Sequence, residues 1–223
     1  MRLLFSAARK CRIESSAIIA RILHRRLIHV IGDSHTLVFV GSPFFAVHYI
    51  GPATAFNLNR SGSTSRARER LFEILNRIDK ERDAVMPVFG EIDCRIHIFY
   101  QHRKSNGSFS VSELIDRTVS SYGSVLEEVR ALGVQLYVYG VPPAGKQENV
   151  CNYPYYAPPE VRSEISRQFN HCMRTYCEEH GYIYIDIYSR VSDERGFVRS
   201  GYAADDVHLN KKVRKIVEEL IGQ

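Results

Sequence analysis

Short runs dense in Val, Ile and Tyr recur along the chain at residues 27–31, 84–89, 134–139 and 182–187, each closed by a turn-forming or polar residue. Runs without polar alternation are the pattern of strands buried on both faces of a sheet. VHYI at 47–50, stopped by Gly51 and Pro52, predicts a fifth strand. Between these runs the apolar period lengthens to three or four residues. Leu71, Ile74, Leu75 and Ile78 recur this way in a segment opening at Ser63, and Leu114, Ile115, Val119, Val125 and Val129 in one opening at Ser110 and closing at Gly133. Residues 158–180 and 211–221 predict two further helices. Strands alternating with helices imply crossover connections, hence α/β architecture with a parallel sheet covered on both sides, a three-layer αβα sandwich on a five-stranded parallel sheet. The longest irregular piece, residues 140–159, is rich in Pro, Tyr and Asn and sits after a strand, where loops commonly wall ligand sites.

The chain has 223 residues, 44% hydrophobic and 25% charged, enough for one globular domain with a full core over 27–223. Its net charge of +5 is concentrated at the front. Arg2, Arg9, Lys10, Arg12, Arg21, Arg25 and Arg26 stand against Glu14 alone in a basic N-terminal arm, residues 1–26, with a helical pattern. The basic isoelectric point therefore says little about the body, and no nucleic-acid partner is expected. For the arm three readings stay open: a helix packed on the body, a membrane-surface or protein contact, and a transit-like segment. No window approaches the roughly 20 apolar residues that span a bilayer, so the expectation is a soluble protein. Cys11, Cys94, Cys151, Cys172 and Cys177 form an odd set without C-x-x-C spacing. That argues against a disulfide scaffold or zinc site and for a reducing, cytoplasmic compartment.

The candidate chemistry begins where the first strand stops, in VIGDSHTLVF at 30–39. In an open parallel sheet the crevice lies beyond the carboxyl ends of the strands, which puts the Ser34 hydroxyl at its rim. A serine is inert at neutral pH without a base, and the base needs an acceptor to orient it. YAADDVHLN at 202–210 supplies both: Asp205 and His208 are three apart, so one turn folds the carboxylate onto an imidazole nitrogen while the other nitrogen faces the rim. Asp206 is expected to point elsewhere.

With these residues in place, the chain resembles the SGNH or GDSL hydrolases, serine esterases and lipases on a flavodoxin-like three-layer fold. The resemblance runs from about Leu27 to the C-terminus. GDSH carries the nucleophile Ser34, NRSGSTS at 59–65 carries Gly62, whose N–H the resemblance makes an oxyanion donor, and DDVH carries Asp205 and His208. The family's Gly-x-Asn-Asp block reads GEID at 90–93, so Ile92 replaces an asparagine whose amide completes the oxyanion hole. Arg95 is the nearest cation to stand in for it.

Blander roles compete for the neighbours. Asp33 is expected to order the turn, His35 to touch substrate or to pack, and Glu91 and Asp93 to cap or to pair with Arg95. His29 and His48 read as core or edge residues, and Cys94 lacks an identifiable base. Tyr153, Tyr155 and Tyr156 either wall the substrate site or pack. Without a phosphate-binding glycine loop or metal-ligand cluster, no cofactor is required. The expected activity is cleavage of an ester, an O-acyl carbohydrate or small acyl ester, through an acyl-enzyme. Acyl transfer by the same residues and a noncatalytic binding module, suggested by Ile92, are the rivals.

Overall fold

The computed structural model describes Ser15, Ile18, Ile19, Ile22, residues 25–148 and residues 155–222. Most of the basic arm, Cys11, Cys151 and Tyr153 lie outside the described residues. All five expected strands form, each end within two residues of its prediction: β1 (Ile28–Gly32), β2 (Phe45–Tyr49), β3 (Ala84–Val88), β4 (Gln135–Tyr139) and β5 (Ile183–Ile185). They pair in parallel in the order β2-β1-β3-β4-β5, the flavodoxin-like arrangement.

The sheet divides its side chains between two apolar layers because consecutive residues point to opposite faces. Ile31, Val85, Leu136 and Val138 face one layer; Ile28, Val30, Met86, Tyr137 and Tyr139 face the other. The first layer is completed by α1 (Ala67–Leu75), α3 (Val111–Ala131) and α4 (Pro159–His180), through Leu71, Leu75, Ile115, Val125, Phe169 and Met173. The second is completed by a 3-10 helix over Ser34–Phe39, α5 (Ile187–Val191) and α6 (Val213–Leu220).

Local signals set the helix ends. Ser110 begins α3 with a reciprocal capping box, its Oγ accepting the Glu113 N–H while the Glu113 carboxylate accepts the Ser110 N–H. Pro159 occupies the first turn of α4, where its missing N–H is harmless, and Gly181 ends that helix at a φ of 66°.

Besides the short α5 and the 3-10 helices, one helical region has no counterpart in the sequence expectations. Residues Asp93–His97 form a π-helical turn that runs into α2 (Ile98–Lys104). Its periodicity is masked because Ile98 is the one residue of α2 that is fully buried, while the last turn is His102, Arg103 and Lys104. No helix among the described residues is long and apolar enough to cross a membrane.

Candidate active site

Ser34 is placed by the way β1 ends. Asp33 caps the 3-10 helix, its Oδ1 accepting the His35 N–H at 2.9 Å, and its carbonyl accepts both the Thr36 N–H and the Thr36 hydroxyl. The turn is thereby fixed at three points. Ser34 is the helix's first residue, so its own N–H lies ahead of the hydrogen-bonded ladder and points out of it. The position follows β1, between β2 and β3, where the strand order reverses and ligand crevices form.

The imidazole comes from the far end of the chain. An isolated bridge between Ala203 and Leu209 closes a tight loop, with the Ala204 N–H donated to the His208 carbonyl at 2.8 Å. Inside it, Asp205 Oδ1 accepts the N–H groups of Val207 and His208, each at 2.7 Å. That turn folds the carboxylate back, so that Oδ2 stands 2.9 Å from His208 Nδ1, and His208 Nε2 stands 2.9 Å from Ser34 Oγ. Partial burial works against ionisation of Asp205, but the His208 N–H, the imidazole and the Val207 N–H hold its carboxyl below the usual range. The pair is open to solvent, with the His208 and Asp205 side chains 36% and 59% exposed.

The adjacent residue fastens this loop. Asp206 points away from His208, its Oδ1 accepting the Gln147 N–H at 3.0 Å and its Oδ2 lying 3.8 Å from the Arg162 guanidinium. Arg162, buried in α4, also donates to the carbonyls of Ala157 and Gln147. Gly145 leaves room for the loop: a Cβ there would lie 2.1 Å from the Asp206 carbonyl oxygen.

Behind Ser34 lies a buried ionic chain that the sequence reading divided among separate residues. Glu91 Oε1 accepts from Arg95 Nε at 2.6 Å, and Glu91 Oε2 faces His35 Nε2 at 3.3 Å, an ion-pair contact without well-aligned hydrogen-bond geometry. The His35 ring in turn lies 4.9 Å from the His208 ring. Burial opposes charge on both members of the pair. Even so, His35 and Arg95 bring Glu91 down to about 2, and Glu91 and Asp33 raise His35 above its ordinary value. Burial also raises Asp33, whose Oδ2 has no hydrogen-bond partner. Asp93 serves the fold: it is fully buried, accepts the N–H groups of Ala55 (2.6 Å) and Phe56 (3.2 Å), and is pushed up to about 7 by burial.

Two residues expected to donate to an oxyanion are already engaged. The Gly62 N–H is donated to Glu69 Oε1 at 2.7 Å, and Arg95 Nε is held by Glu91. Gly62 and Ile92 wall a polar cavity of about 530 Å³ together with Asn57, Arg60 and Ser63. Arg95 lines a separate small cavity beside Pro142 and Val207. Ser34 and His208 open instead onto a cavity of about 410 Å³ walled by Leu37, Val38, Tyr139, Ala204 and Leu209, with His35, Asn210 and Lys211 also lining it. No sequence period marks that cavity, since its walls come from three distant segments.

Tyr155 and Tyr156 are not at this opening. Tyr155 lies by Tyr100, and Tyr156 lies under the Arg162 guanidinium. Cys94 is buried, and burial pushes its thiol well up, away from a nucleophilic thiolate. His29 and His48 form a buried pair, 2.9 Å between ring nitrogens, with Asp83 on the far side of His29, at the opposite end of β1 from Ser34. Among the described residues no cluster of three His, Cys, Asp or Glu is arranged to hold a metal ion.

Known proteins share this arrangement at the level of the fold. A GDSL-like lipase from Bacteroides thetaiotaomicron VPI-5482 superposes with a TM-score of 0.60 at 17% identity, over 88% of this chain and 85% of its own. An acetylxylan esterase from Geobacillus stearothermophilus, solved as a catalytic mutant, gives a TM-score of 0.52 at 13% identity, over 87% and 91%. No curated protein matches the sequence. The family model of the GDSL-like lipases and acylhydrolases matches residues 30–216, and the chain therefore belongs to that family of ester hydrolases.

Proposed function

We propose that the protein hydrolyses an ester through an acyl-enzyme on Ser34. The observation that carries this reading is the unbroken line of contacts from Asp205 through His208 to Ser34 Oγ, 2.9 Å at each of its two closest steps. Asp205 holds Nδ1 protonated, so Nε2 presents a lone pair to the serine hydroxyl. Ser34 Oγ attacks the ester carbonyl as Nε2 takes its proton, and the carbonyl oxygen becomes an oxyanion. The resulting imidazolium, stabilised by Asp205, gives the proton to the departing alkoxide as the carbon–oxygen bond breaks. Water then enters, loses a proton to Nε2 and releases the acid and free Ser34.

The Ser34 N–H, ahead of its helical ladder, is the oxyanion donor this geometry offers. Ile92 has no donor and the Gly62 N–H is bound to Glu69. A missing donor costs about 10²–10³ in rate, so turnover is slow for this chemistry. Similarity to an acetylxylan esterase and the polar cavity beside Gly62, with Asn57, Arg60 and Ser63, favour an O-acyl carbohydrate as the alcohol portion over a simple alkanol. A fluorophosphonate probe tests the reading: the intact protein is expected to label covalently and lose esterase activity, and Ser34→Ala to do neither. Labelling that persists in Ser34→Ala, or an intact protein that never labels, contradicts it.

A further inference from the structure

We propose that the cavity walled by Leu37, Val38, Tyr139 and Leu209 receives the acyl chain of the substrate, and that this chain is longer than acetyl. The inference rests on the Ser34 acyl-enzyme and adds to it which half of the ester goes where.

The cavity at Ser34 and the cavity at Gly62 differ in chemistry. The one at Ser34 and His208 has a volume of about 410 Å³ and is walled by Leu37, Val38, Ala204, Leu209 and the Tyr139 ring, with His35, Asn210 and Lys211 also lining it. The one at Gly62 is lined by Asn57, Arg60 and several hydroxyl side chains. Hydrolysis imposes an asymmetry on them. Once the alcohol has left, a water must take its place against His208 Nε2, so the alcohol's side has to admit water. Aliphatic walls offer an incoming water no hydrogen-bond partner. The solvent-open side of His208 therefore suits the alcohol and the incoming water, and the apolar cavity suits the group that stays bonded to Ser34 Oγ.

Position agrees with chemistry. Leu37 and Val38 lie one turn beyond Ser34 on its own 3-10 helix, so a chain anchored on Oγ runs along that helix toward Leu209. Leu37 is 47% exposed, so its side chain is within reach of a bound acyl chain. An acetyl group leaves most of a 410 Å³ space unfilled.

The test is a series of p-nitrophenyl esters from acetyl to octanoyl, run on the full chain and on Leu37→Ser, beside a series of alkyl acetates. Each buried methylene is worth at most about 0.8 kcal/mol, so kcat/KM is expected to rise about two- to fourfold per carbon from acetyl toward hexanoyl. Leu37→Ser, an exposed position where folding is not at stake, is expected to lower the hexanoyl-to-acetyl ratio about tenfold. A flat acyl series, a slope unchanged in Leu37→Ser, or a rise confined to the alkyl acetates overturns the proposal and leaves the acyl-enzyme intact. Failure to cleave any ester, with Ser34 unlabelled by fluorophosphonate, overturns the acyl-enzyme and the proposal with it.

Discussion

Asp205 sets how much of the proposed chemistry depends on one carboxylate. Its role is to keep the Nδ1 proton in place and to stabilise the imidazolium that forms. In buried triads, exchanging the acid for its amide lowers kcat about 10⁴-fold through the wrong tautomer. Here the carboxylate is 59% exposed, and water can replace part of what it does. Asp205→Asn is therefore expected to lower kcat on a p-nitrophenyl ester by about 10²–10³-fold with little change in KM; a loss under about threefold would show that His208 needs no orienting partner. Ile92 makes the opposite prediction. If the oxyanion rests on the Ser34 N–H alone, Ile92→Asn restores an amide beside the polar cavity, and kcat is expected to rise about tenfold or more. A kcat at or below that of the parent chain means the amide does not reach the oxygen.

At the scale of elements, Ser34 depends on how closely β1 approaches β3. Gly32 lies opposite Val88 in the register, and a Cβ on it would come 2.0 Å from the Val88 carbonyl oxygen. The strand end must be glycine because the backbone of β3 occupies the side-chain space. Gly32→Ala is expected to destabilise by about 1–3 kcal/mol and to displace the turn that carries Ser34, seen as a lower urea midpoint together with a lower kcat. Stability within about 0.5 kcal/mol of the parent would show that β3 yields. The same element explains what the sequence could reveal. Strands buried on both faces announce themselves as apolar runs, and Asp205 and His208 share one turn, so their mutual geometry is local. Glu91 and His35 are far apart in sequence and belong to no shared period; their pairing exists only because β1 and β3 are neighbours. The helix over residues 93–104 was hidden for a related reason: a π-turn breaks the 3.6-residue period, and Ile98 alone in α2 is fully buried.

For the whole molecule, the buried charges behind Ser34 make stability a function of pH with opposing limbs. Glu91 is depressed to about 2 from an ordinary 4.5, so it favours the folded state above 4.5, and that contribution of about 3 kcal/mol is lost as pH falls from 4.5 toward 2. Asp93 and His35 act in the other direction. Asp93 is raised to about 7, so between its ordinary 3.8 and 7 the folded chain holds a proton that the unfolded chain does not, and stability falls as pH rises through that window. His35 is raised above 6.5, so its contribution is complete below 6.5 and fades as pH climbs through the folded value. Together these shifts place maximum stability on the acid side, near pH 4, where the gain from ionising Glu91 and the loss from the proton held on Asp93 balance and His35 is charged. Urea unfolding at pH 2, 4 and 8 checks this: the midpoint is expected to be highest at pH 4. Asp93→Asn should flatten the decline from pH 4 to 8. Glu91→Gln should flatten the decline from pH 4 to 2 and lower stability at pH 4 by about 3 kcal/mol, because His35 and Arg95 lose the carboxylate between them. If both variants keep the parent's pH profile, the ionic chain behind Ser34 does not control how the molecule responds to acid.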